Sequence, residues 1–144
     1  MMKLEKLPAD ILSRIPDAGK ALAADERVVF AYLFGGLAAG RMKPLSDVDI
    51  AVYVSGVTDI GEYALALFDR LSNALGTAEL DLIILNTAPV SIAGRVLQSK
   101  ELLIDKDPFL RHRYESLTLR EFFDFRITEE AFFARRYGIG RSPS

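Results

Sequence analysis

Two apolar runs rich in β-branched and aromatic residues, Val28–Phe34 and Val48–Val54, flank a segment that opens with Gly35-Gly36 and closes with Ser46-Asp47. Such runs read as buried strands. The second is entered through Asp47-Val48-Asp49. Side chains alternate across a strand, so Asp47 and Asp49 project to one side. Two carboxylates held on one side repel each other unless a cation or a proton lies between them. Hard divalent ions such as Mg²⁺ take oxygen clusters of this kind, commonly together with phosphate. An isolated Asp-x-Asp is usually a solvated turn entering a strand. The glycine turn before this pair and the apolar strand after it favour a site instead.

A third carboxylate strengthens that expectation. Glu79-Leu80-Asp81-Leu82-Ile83-Ile84-Leu85 reads as a further strand, with Asp81 interrupting its apolar run. An ionised Asp inside a buried strand is costly unless it is paired or bound to metal. If this strand lies beside the one that carries Asp49, three acids converge. Three acids can hold two divalent ions about 4 Å apart, as in phosphoryl transfer. Glu79 could share that face, but Asp81 has apolar neighbours on both sides and is the stronger candidate.

Half of the 144 residues are hydrophobic, which argues against disorder and allows one domain with a real core. The net charge of −2 offers no bulk attraction to nucleic acid. Cysteine is absent, which excludes a disulfide framework, a zinc-thiolate site and a thiol nucleophile. The amino-terminal residues lack the apolar core of a signal peptide, and no run is long enough to span a membrane. A soluble cytoplasmic protein is the expectation.

Along the chain, Pro8–Glu26 reads as a helix that Pro16 breaks or kinks. A short helix is expected to start at Leu37-Ala38-Ala39-Gly40, with loop over 41–46. Ile60–Leu75 has the strongest helical spacing, and Gly76 suits its C-terminal cap. A short helix over Pro89–Leu97, a strand over Glu101–Ile104, and a helix or helix pair from Asp107-Pro108 to about Tyr137 complete the order. The expected class is α/β (α+β): a mixed four-stranded sheet flanked by helices.

Gly35-Gly36 followed, after residues 37–46, by Asp47-Val48-Asp49 resembles the signature of the DNA polymerase β-type nucleotidyltransferase superfamily. That signature is Gly-Ser, ten residues, then Asp-x-Asp, with a third Asp on a later strand. The likeness extends to Tyr32-Leu33-Phe34-Gly35, Ser46–Tyr53, Leu80-Asp81-Leu82-Ile83 and the helix after Asp107. The short chain is similar to minimal nucleotidyltransferases, in particular the antitoxins of HEPN toxins. Residues 1–137 would form one such domain, with 138–144 as a flexible tail.

The resemblance implies a polymerase β-like fold and AMP transfer from ATP to a tyrosine of a HEPN toxin. It implies that Asp47, Asp49 and Asp81 hold two Mg²⁺ ions and carry the catalysis. Gly35 and Gly36 would admit the triphosphate close to the backbone, with Ser46, Arg41 and Lys43 beside the nucleotide. Gly36 stands where the family has Ser, and Ala39 where an Arg is common. The lost hydroxyl is worth roughly 1.5–3 kcal/mol. Two alternatives to protein AMPylation follow: a catalytically weak antitoxin that neutralises its toxin by binding, and transfer to RNA or a small molecule.

The other features carry less. Gly35–Gly40 has neither dinucleotide-loop nor P-loop spacing. His112, the sole histidine, reads as a surface residue, and the arginines around it as helix-surface charges paired with acids such as Glu115. Phe122, Phe125 and Phe132-Phe133 are expected to line the sheet, with Phe123 pointing elsewhere. The aromatic excess suits either a helix buried on two sides or an association surface, for a homodimer or a toxin.

Overall fold

A computed structural model describes residues 9–38 and 48–137. Asp47, Ser46, Arg41 and Lys43, together with Ala39 and the tail 138–144, lie outside the described residues. The element order is α1 (Ile11–Ala24), β1 (Val28–Phe34), α2 (Gly35–Ala38), β2 (Val48–Val54), α3 (Ile60–Leu75), β3 (Leu80–Ile84), α4 (Val90–Gln98), β4 (Glu101–Asp105) and α5 (Pro108–Tyr137). The four strands form one sheet in the order β3-β2-β1-β4. β1 runs antiparallel to both β2 and β4, whereas β2 and β3 are parallel. α3 is the crossover that a parallel pair needs.

Alternation along the strands separates two cores. Val28, Ala31, Leu33, Ile50, Val52, Leu80 and Ile84 face α1 and α3, where Leu22, Leu67, Leu71 and Leu75 bury against them. Phe30, Tyr32, Ala51 and Leu85 face the other side, covered by Ala93, Val96 and Leu97 of α4 and by Tyr114 of α5. An aromatic cluster ties α5 to that face: Phe30 stacks on Tyr53 at 4.9 Å, and Tyr114 tilts against both at 5.6 and 5.3 Å.

Local chemistry accounts for the helix ends. Asp59 Oδ1 accepts from the Glu62 N–H at 3.0 Å at the start of α3, and Gly76 closes that helix in the left-handed conformation at φ 72°. Asp107 Oδ1 accepts from the Leu110 N–H at 3.0 Å at the start of α5. That last element is one helix, not a pair.

Pro16 does not break α1, which runs through it. A proline here removes one bond, from its own nitrogen to the Leu12 carbonyl. Ile11 on one side and Ala18 and Leu22 on the other are fully buried, so tertiary packing holds both halves in line. The aromatic expectation on α5 is also revised. Phe122 is buried, but Phe125 and Phe132 are exposed along with Phe123 and Ile127. The sheet is too small to cover a helix of about 45 Å, the length that 30 residues imply. His112 is exposed, as expected.

Two polar networks pin helices to the sheet. Asp25 accepts from Tyr63 OH at 2.7 Å, Arg70 Nη2 at 2.8 Å and the Arg27 N–H at 2.9 Å. Burial pushes its carboxyl up, but these bonds outweigh burial and hold it below its ordinary value. On the opposite face, Glu115 Oε2 accepts from Tyr32 OH at 2.6 Å and Arg111 Nη1 at 3.2 Å, while Arg111 Nε donates to Asp105 at 2.7 Å. Glu115 behaves as Asp25 does: burial raises it, and Tyr32 and Arg111 bring it below its ordinary value. Burial, then the Glu115 bond, raise the Tyr32 phenol.

Carboxylates lowered by folding stabilise the fold above their unfolded values and lose that contribution as pH falls through them. A raised phenol does the reverse, stabilising below its unfolded value. Stability should therefore decline below about pH 4.5 as Asp25 and Glu115 protonate, and again above about pH 10 as Tyr32, Tyr63 and Tyr114, all raised by burial, ionise. Urea midpoints across pH check both limbs, and Tyr32→Phe should make the alkaline one shallower, with Tyr63 and Tyr114 supplying the rest. Gly94→Ala tests the packing of α4 on α5. A Cβ there would enter the Phe122 ring, so unfolding titrations should show a loss of about 1–3 kcal/mol.

Candidate active site

Asp49 is the second residue of β2 and Asp81 the second of β3. The two are direct partners across the parallel pair, within a register that runs from Val48↔Leu80 to Val52↔Ile84. Partners in adjacent strands share a face, and strands lie about 4.8 Å apart. Val48 and Leu80 face α1 and α3, so Asp49 and Asp81 face the other side, at the end of the sheet where both parallel strands begin. Glu79 lies just before β3, where its carbonyl accepts from the Val48 N–H at 3.0 Å.

Asp81 is exposed and Asp49 half-buried. The expectation of a buried Asp81 is thus corrected. β3 is an edge strand, so its outer flank and the end of its face reach solvent. The register, rather than a burial penalty, is what brings Asp81 to Asp49.

The glycine turn adjoins the same carboxylate. Gly35 follows the last residue of β1, Phe34, which pairs with Asp49 across the antiparallel ladder. Gly35 has φ +72°, and a Cβ on it would run into the Asp49 carboxylate. Only glycine allows both that conformation and that approach. Gly35 also opens α2, so the short helix begins at the turn rather than after it. Gly36 lies within α2.

The Gly35 N–H donates to Ser99 Oγ at 3.2 Å. Ser99 lies 64 positions away, at the end of α4. It reads in the sequence as an ordinary loop residue between a helix and a strand, and nothing in the pattern links it to Gly35.

Among the described residues, no group of three or more His, Asp or Glu is arranged to hold a metal ion. Asp47, expected as the third acid, lies outside them. The pair that is described offers oxygen donors only, the chemistry that suits Mg²⁺. Also among the described residues, no helix is long and apolar enough to cross a membrane.

The family model "Polymerase beta, Nucleotidyltransferase" matches residues 18–109, a stretch that runs from α1 into the start of α5. The chain belongs to the polymerase beta nucleotidyltransferase family. No curated protein sequence matches it. Solved structures with the same fold include a toxin–antitoxin complex with AMP-PNP, at TM-score 0.71 and 21% identity over 84% of this chain and 96% of that one. The MntA–HepT toxin–antitoxin gives 0.66 and 20% over 86% and 97%. An MNT antitoxin complex with the tri-AMPylated HEPN toxin of Shewanella oneidensis gives 0.67 and 19% over 86% and 96%. At these identities the likeness establishes a shared fold.

In this family member, Gly35→Ala should cost about 1–2 kcal/mol from the left-handed backbone alone, and more through the clash with Asp49. Gly35→Ala combined with Asp49→Ala should lose less than the sum of the single changes, because the contact is then gone. Urea titrations of the four proteins measure this.

Proposed function

We propose that this chain transfers AMP from ATP to a hydroxyl of a partner protein, a tyrosine of a HEPN-type toxin, and so acts as its antitoxin. The observation that carries the reading is the in-register pair Asp49 and Asp81 beside a turn that only glycine can make. The AMP-PNP and AMPylated-toxin complexes of structurally similar proteins support the choice of nucleotide and acceptor.

In this reading Asp47, Asp49 and Asp81 hold two Mg²⁺ ions. Bound there, Mg²⁺ supplies neutralisation of the charge that develops on the phosphates. The acceptor oxygen bonds to the α-phosphorus, the bond to the β-phosphate's bridging oxygen breaks, and pyrophosphate leaves. Asp81, the more exposed acid, takes the acceptor's proton. Gly35 and Gly36 leave room for the triphosphate, and Ser46, Arg41 and Lys43 meet its charge. The cytoplasm, where ATP is abundant, is the proposed setting. Phe123 and Ile127 on one side of the outer part of α5, and Phe125 and Phe132 on the other, are exposed, apolar side chains of the kind proteins use for association, whether with a toxin or a second copy.

Incubation with α-labelled ATP, Mg²⁺ and the HEPN partner should label the partner. A tight complex without label would establish occlusion instead, a reading that the missing Gly36 hydroxyl favours. Asp49→Asn should abolish labelling with little change in thermal midpoint. Asp81→Asn should lower the rate on the order of 10²-fold or more while retaining some ATP binding. Near-normal labelling by either variant would defeat the assignment. Gly36→Ser should raise the rate, by about 10-fold for each 1.4 kcal/mol that the restored hydroxyl contributes in the transition state.

A further inference from the structure

Ser99 closes α4, with its own N–H donating to the Val96 carbonyl at 3.2 Å. The backbone of this residue is therefore held by the helix it ends. α4 is in turn held by α5, since Gly94 packs against the Phe122 ring with no room for a Cβ. From this supported position the Ser99 hydroxyl accepts the Gly35 N–H, and Gly35 touches the Asp49 carboxylate. A continuous line of contacts thus runs from α5 through α4 and Ser99 to the acid. Leu37 anchors the far end of α2 in the core, whereas Gly35 opens it in the left-handed region, where a glycine backbone has wide freedom in the absence of this bond.

We propose that Ser99 is a positioning residue, whose hydroxyl fixes the Gly35 turn and through it the placement of Asp49 for a metal–nucleotide complex. The inference rests on the functional reading of Asp49 given above. It assigns the α4–β4 junction, far from the glycine turn in sequence, to the same site. The bond is neutral and half-buried, so its loss should change affinity by roughly 5- to 10-fold rather than abolish it.

The test compares wild type, Ser99→Ala, Ser99→Thr and Asp49→Asn by calorimetric titration with Mg²⁺ and AMP-PNP, with thermal midpoints and NMR amide exchange at Gly35 alongside. Ser99→Ala should weaken AMP-PNP binding about 5- to 10-fold and speed exchange at Gly35. Ser99→Thr retains the hydroxyl and should bind within about twofold of wild type. Ser99→Gly, which suits a helix end, repeats the test should the alanine variant lose its fold. Unchanged binding and exchange in Ser99→Ala, or a Thr variant as weak as the Ala one, would overturn the proposal. If Asp49→Asn loses binding while Ser99→Ala matches wild type, only this inference falls. If Asp49→Asn binds as wild type does, or wild type binds nothing, the functional reading falls and this one with it.

Discussion

The parallel pairing of β2 with β3 is the constraint on which the site depends. A strand has a side-chain period of two, so a slip of one residue in this pairing would send Asp81 to the α1–α3 face. That face is filled by Val48, Ile50, Leu67, Leu71, Leu75 and Leu80, and an unpaired carboxylate there would be strongly disfavoured. The register is thus enforced by the apolar residues that alternate with the acids, not by the acids themselves. Two carboxylates side by side repel, and the core on the opposite face is what holds them together. The helix α3 contributes twice: it carries the chain over to make β3 parallel, and its buried leucines form the surface against which both strands lock.

The second face shows a division of labour. Over β1, β4 and the later part of β2 it is closed by α4 and the first half of α5, through the Phe30, Tyr53 and Tyr114 rings and the Tyr32–Glu115–Arg111–Asp105 network. At the other edge, where β2 and β3 begin, it reaches solvent at Asp81. A covered part therefore sits beside an end that reaches solvent on one face of the sheet. The glycine turn lies at their boundary, with Asp49 on one side of Gly35 and Ser99 on the other. This arrangement suits the proposed transfer, which needs its acids held fixed and room for a nucleotide and an acceptor.

Much of the fold was legible in the residues. The runs Val28–Phe34 and Val48–Val54 and the helix Ile60–Leu75 have strong periodicity and clear end signals, and their bounds agree with the structure. Elements whose outcome rests on packing were less legible. Pro16 is a helix breaker by local chemistry, but α1 is held by core contacts that the sequence does not display. The phenylalanines of α5 look like core residues, yet the sheet ends before most of them. Asp81 looked buried because its neighbours are apolar; at an edge strand the apolar side is one face only. Ser99 carried no signal, since a hydrogen bond between distant loops has no period.

What the sequence determined by itself was the chemistry: the Gly-Gly turn, the alternating acids, the oxygen-only donor set and the strands that bear them. Local propensity and side-chain alternation suffice for that, because they act within a few residues. What only the tertiary structure decided was who meets whom. That Asp49 lies directly across from Asp81, that Gly35 touches Asp49, and that Ser99 reaches Gly35 all follow from strand order and register. Those are set by burial summed over the whole core, a quantity that no short stretch of the chain contains.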